Sequence, residues 1–103
     1  MKIVKIEDWL YDNVEFSLDN STTDYDVKTN QATAFSNIKT ATDISIRTDK
    51  TITIKFNSSS NPAITITSTD SPFGFDSMRV TNLYLSNSSG SAAAIKIFMI
   101  GRK

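Results

Sequence analysis

The chain has neither cysteine nor histidine. Without cysteine there are no disulfides and no thiolate ligands, a composition that suits a reducing compartment or an assembly built in one. Without histidine the chain lacks the commonest general acid or base and the commonest transition-metal ligand, so acyl transfer through a Ser–His pair is excluded. Only three glycines and two prolines punctuate the 103 residues; turns must therefore be made by Asn, Asp and Ser, whose side chains bond their own backbone. Neither sign of charge prevails, since eleven Lys plus Arg balance eleven Asp plus Glu. No net field draws in a polyanion and no basic run does so locally, which argues against a nucleic-acid partner. No stretch approaches the ~18 uninterrupted apolar residues of a membrane helix. Lys2, Lys5, Glu7 and Asp8 break up the N-terminal region where a signal peptide needs an apolar run. The expectation is a chain with no membrane partner, synthesised in a cytoplasm and not exported by a standard signal.

What is present favours β structure. Ser, Thr and Asn make up about a third of the chain and isoleucine outnumbers leucine three to one; β-branched side chains lose rotamer freedom in helices but pack well on a pleated surface. The clearest segment runs from Asp43 to Thr67, where Ile44, Ile46, Ile52, Ile54, Phe56, Ile64 and Ile66 fall on every second position. A period of two marks strands with one buried face. Thr48-Asp49-Lys50-Thr51 reads as a tight hairpin turn between the first two of them, and Pro62, which cannot donate to a ladder, places the start of the third at Ala63.

Elsewhere the pattern is shorter. Residues 1–12 read as an N-terminal arm or short turn, and 13–103 as one β-sandwich domain with one modest core. Within it, Asn13 to Leu18 is a strand with Val14, Phe16 and Leu18 on one face; Tyr25 and Val27 form a short strand, and Ala32 to Ile38 a further one. Phe73 and Phe75 share a face. Arg79 to Ser86 is a strand whose Val80 is out of step with Leu83 and Leu85, which implies a bulge near Asn82 or burial on both faces. Ala93 to Ile100 carries Ile95, Ile97 and Met99 on one face and Phe98 and Ile100 on the other, the pattern of a central strand or one covered by a second layer. Seven to nine short strands separated by polar turns predict an all-β fold, a compact two-sheet sandwich of jelly-roll type.

Candidate sites are few, and each has a structural reading beside the functional one. Asp19, Asp24 and Asp26 could ligate a cation, but they lack the regular spacing, central glycine and closing glutamate of a calcium loop, and turn chemistry explains them. Asp70 and Asp76 bracket Pro72 and Gly74 and read as turn residues; glycosidase chemistry would require a particular carboxylate separation. Asn20-Ser21-Thr22, Asn57-Ser58-Ser59 and Asn87-Ser88-Ser89 match the glycosylation acceptor pattern by chance in so Ser-rich a chain. Trp9 and Tyr11 are amphipathic aromatics, either a lid over one end of the core or an anchor on a neighbouring subunit. Arg102 and Lys103, with Arg79, are either a solvated edge that discourages edge pairing or a basic tail for an acidic neighbour. Trp9, Tyr11, Arg102 and Lys103 are thus the candidate interface residues. No catalytic residue, metal ligand or cofactor is expected.

The segments Thr51 to Asn57, Pro62 to Thr67, Phe73-Gly74-Phe75-Asp76 and Val80 to Gly90, with Tyr25-Asp26-Val27 and Ile44-Ser45-Ile46-Arg47 before them, follow an order that resembles small β-rich structural proteins of tailed bacteriophages. The resemblance covers roughly residues 24 to 101. It implies a non-enzymatic virion protein, a capsid decoration or auxiliary subunit that stabilises the particle through oligomeric contacts. Its partners would be the major capsid protein or other virion subunits and further copies of itself, a trimer being one such arrangement. The alternative is a carbohydrate- or receptor-binding sandwich at a phage tail or fibre, for which Trp9, Tyr11, Tyr25 and Tyr84 are the aromatic candidates.

Overall fold

The computed structural model describes residues 10–70, 72–76 and 78–102. Eight strands run in chain order: β1 (Leu10–Leu18), β2 (Thr22–Asp26), β3 (Thr40–Thr48), β4 (Ile52–Phe56), β5 (Ile64–Ile66), β6 (Phe73–Phe75), β7 (Leu83–Asn87) and β8 (Ala93–Arg102). They form two antiparallel four-stranded sheets, β1-β8-β3-β6 and β2-β7-β4-β5. This is the eight-strand jelly roll, in which every connection except that between β4 and β5 passes from one sheet to the other.

The core lies between the sheets because the alternation in each strand turns one set of side chains inward. Ile44, Ile46, Ile95, Ile97 and Met99 from one sheet face Ile52, Ile54, Ile66, Leu83 and Leu85 from the other, all of them buried. β8 sits between β1 and β3, as expected for the strand that is apolar on both faces, but among the described residues no second layer covers its outer face, and Phe98 is 39% exposed.

Several local expectations change. The segment around Asp49-Lys50 is not a hairpin, since β3 and β4 belong to different sheets and the chain crosses the sandwich there. Thr48 Oγ1 accepts the Lys50 N–H at 3.2 Å and donates to the Lys50 carbonyl at 2.9 Å, and the Asp49 carboxylate accepts the Ala94 N–H at 2.8 Å. The hairpin in this region is β4–β5, with Ile52 opposite Ile66 and Ile54 opposite Ile64. Ala32 to Ile38 is not a strand. It is a looped segment that buries Ala34, Phe35 and Ile38, with Phe35 at a φ of 57°. Val27 begins a one-turn helix, α1 (Val27–Asn30), rather than extending β2. Val80 stands outside β7 and makes an isolated bridge to Ala41. Leu10, Tyr11 and Asp12 belong to β1, opposite Gly101, Ile100 and Met99, rather than to an arm. Trp9 and the rest of residues 1–9 lie outside the described residues, as does Lys103.

Two buried polar groups fix the loops to this frame. Asp12, 3% exposed, accepts the backbone N–H groups of Asn37 and Ile38 and the Ser36 hydroxyl at 3.1–3.3 Å. Asn87, fully buried, donates to the carbonyls of Leu18 and Ser91 at 2.8 Å and accepts from the Ser89 N–H and hydroxyl. All four of its hydrogen-bonding positions are filled, so burial costs it little.

Candidate surface site on the outer sheet

The outward residues of the β1-β8-β3-β6 sheet form rows set by the strand register. One row runs Tyr11, Ile100, Asp43; the next Asn13, Phe98, Ser45, Gly74; the third Glu15, Lys96, Arg47. Phe98 occupies the middle of the face, and the Tyr11 ring stacks on it with centroids 5.7 Å apart and planes 30° apart. Tyr11 itself is 62% exposed.

On the other side of Phe98 the face is hollow, because the residues opposite it in register, Ser45 and Gly74, are small. A hollow of about 420 Å³ lies between Phe98 and Ile100 on one side and Phe75 and Asp76 on the other, with Asp43 at its rim. A smaller one of about 230 Å³ continues past Phe98 among Ser45, Arg47 and Lys96. A third, of about 560 Å³, is bounded by Glu15, Arg47, Asp49, Ser68 and Lys96. Lys96 and Glu15 form an exposed ion pair at 3.3 Å. Both signs of charge and both donors and acceptors therefore line a row of neighbouring hollows along β3.

At one end of the same sheet, where β1 begins and β8 ends, a hollow of about 370 Å³ is lined by Thr40, Thr42, Met78, Arg79 and Arg102. Leu10 is opposite Gly101, and Thr40 opposite Arg102. The fold thus brings two of the four candidate interface residues, Tyr11 and Arg102, to one end and adds Arg79 to them. Trp9 and Lys103, the other two, fall outside the described residues.

The acidic candidates serve the fold separately. Asp24 pairs with Lys55 at 3.0 Å, and the Asp19 carbonyl accepts the Thr22 hydroxyl. Asp26 caps α1 by accepting the Thr29 N–H at 3.0 Å and also accepts the Asn82 amide at 2.8 Å, tying α1 to the start of β7. Desolvation pushes the Asp26 carboxyl up, but the hydrogen bonds from Asn82, Thr29 and Lys28 together outweigh it and hold the carboxyl below its ordinary value. Asp70 closes a turn by accepting the Thr67 N–H and hydroxyl, whereas Asp76 lines the Phe98 hollow. Among the described residues no group of three or more Asp or Glu side chains could hold a metal ion. Of the glycosylation triplets, the Asn87 side chain is fully buried and hydrogen-bonded throughout.

Phe98, Ser45 and Gly74 were not candidates on sequence grounds. The signal was there in part, since alternation puts Phe98 opposite Ile95, Ile97 and Met99. Which face of β8 would be left uncovered depends on the sheet order, which alternation does not encode. Tyr25, one of the aromatics considered for a sugar site, is instead half-buried against Phe16 with ring centroids 5.3 Å apart. The chain matches no family model, no curated protein and no solved structure.

Proposed function

We propose that this chain is a non-enzymatic virion structural protein, a capsid auxiliary subunit that stabilises a particle by burying surface against neighbouring subunits. The observation that carries the reading is the strand order, β1-β8-β3-β6 over β2-β7-β4-β5. That eight-strand jelly roll is the architecture of many viral capsid domains, an analogy of fold rather than of site. The strand-and-turn resemblance to small structural proteins of tailed phages points the same way. The contact is made by the end of the molecule that carries Arg79 and Arg102: a hollow lined by two arginines, at the end of the sheet where the exposed Tyr11 also lies, suits an acidic patch on a partner subunit.

The test is addition of the purified protein to preassembled capsids that lack it, with an unrelated sandwich domain as control. Saturable binding, weakened by salt and by Arg79→Glu, is the expected result. Binding no better than that of the control overturns the proposal. A chain beginning at Leu10 tests the Trp9 anchor: it keeps the described strand Leu10–Leu18, and loss of capsid binding with an unchanged melting temperature assigns the preceding residues to the interface.

A further inference from the structure

We infer that the outer face of the β1-β8-β3-β6 sheet is a binding track for a neutral linear oligosaccharide, with the Phe98 ring as its stacking platform. The three hollows share walls: Ser45 and Phe98 border the first two, and Arg47 and Lys96 the second and third. From Asp43 to Asp49 the track follows β3 for about 20 Å at the usual rise per residue, room for a chain of several sugar rings rather than for one.

Its chemistry selects the occupant. Sugar hydroxyls both donate and accept, and the track offers acceptors at Asp43, Asp76 and Glu15 with donors at Arg47, Lys96 and Ser45. A polyanion would meet the carboxylates, and a polycation would meet Arg47 and Lys96, so a neutral chain fits both ends. The C–H face of a sugar ring has an apolar partner in Phe98, whose orientation is fixed by Tyr11 stacked on its other side. Space for a ring exists over the floor: a Cβ added at Gly74 would meet nothing within 4 Å. Strand addition by an extended peptide is closed at this face, because β8 and β3 already pair on both edges.

The experiment is an NMR titration of the isotopically labelled full chain with cellotetraose, maltotetraose and mannotetraose, each against its monosaccharide. At least one tetrasaccharide is expected to shift the amides of residues 43–47, 74–76 and 94–98, to bind more tightly than its monosaccharide, and to be insensitive to salt. Phe98→Ala and Gly74→Trp should each weaken binding by at least about tenfold. Gly74→Trp fills open space, so it keeps the test decisive if Phe98→Ala is poorly folded. The inference is overturned if no tetrasaccharide produces shifts or if the shifts map to the Arg79 end. It is also overturned if sedimentation shows a dimer in which the amides of this face are protected, which would make a second copy the occupant. Tyr11 borders both this track and the capsid contact proposed above, but Gly74 and Arg79 each belong to one alone: Gly74→Trp should leave capsid binding intact and Arg79→Glu should leave sugar binding intact, so either reading can fail alone.

Discussion

Ile54 and Ile64 are direct cross-strand partners, yet one is fully buried and the other 37% exposed. The sequence pattern treats them alike, as core residues of one ladder; the difference comes from β5 being the edge strand of its sheet. Ile54→Ala should therefore cost about 2–5 kcal/mol, the usual range for truncating a core isoleucine. Ile64→Ala should cost only about 1.5 kcal/mol, because more than a third of the residue is already in water. Urea unfolding of the two variants checks both, and equal losses would mean that Ile64 is packed. A second contrast is between two glycines. A Cβ at Gly101 would overlap the Thr40 carbonyl oxygen and come within 2.9 Å of the Ala41 Cα, backbone atoms that cannot swing aside, whereas Gly74 has open space. Gly101→Ala is expected to lower the melting temperature by several degrees and Gly74→Ala to leave it unchanged.

The elements are held in place by polar contacts that the hydrophobic pattern does not announce. Asp12 on β1 holds the 36–38 segment through two backbone N–H groups and a hydroxyl. Asp12→Ala removes the acceptor of the Asn37 N–H and of the buried Ile38 N–H, at a cost of about 1–3 kcal/mol, and hydrogen exchange at Asn37 and Ile38 should quicken more than in the β4–β5 hairpin. Asp26, which caps α1 and binds Asn82, gives a pH signature. Its folded-state carboxyl lies below the ordinary value, so its contribution to stability is present at neutral pH and is lost as pH falls below about 4 towards the folded-state value. Asp26→Asn should melt below the parent protein at pH 7, and the gap should narrow under strongly acidic conditions; a gap that widens there would reverse the assignment. These elements also mark how far the sequence could be read. Strict alternation of isoleucines makes β3, β4 and β5 visible, because one buried face leaves a period of two. It does not say whether Asp49-Lys50 turns a strand back into its own sheet or carries it across to the other, since both need a short polar connection. The 32–38 segment misleads because Ala34, Phe35 and Ile38 are buried by a loop, where burial has no fixed period. The surface site is hidden for the same reason: Phe98, Ser45 and Gly74 are neighbours only through the register of three strands far apart in the chain.

For the whole molecule the governing fact is that the first and last strands pair, Leu10 opposite Gly101 through to Leu18 opposite Ala93, with β8 then lying against β3. β8 is central in its sheet and gives the core Ala93, Ile95, Ile97 and Met99, so neither sheet can close over the core until the end of the chain has returned to its beginning. Among the described strands only β4 and β5 pair as a local hairpin. Loop closure on this scale must precede most of the contacts that reward it, which places refolding in the millisecond-to-second range of sandwiches rather than the microsecond range of helical bundles. The same topology predicts all-or-none behaviour. A chain ending at Ala92 keeps seven of the eight strands but leaves β1 and β3 without the strand that joins them, and it should show no cooperative thermal transition and no dispersed amide spectrum. A chain beginning at Leu10 should keep both. Stopped-flow refolding of the full chain, followed by far-ultraviolet circular dichroism, completes the test: a single slow phase agrees with closure by β8. A native-like spectrum from the chain ending at Ala92 would show that the two sheets can assemble without β8.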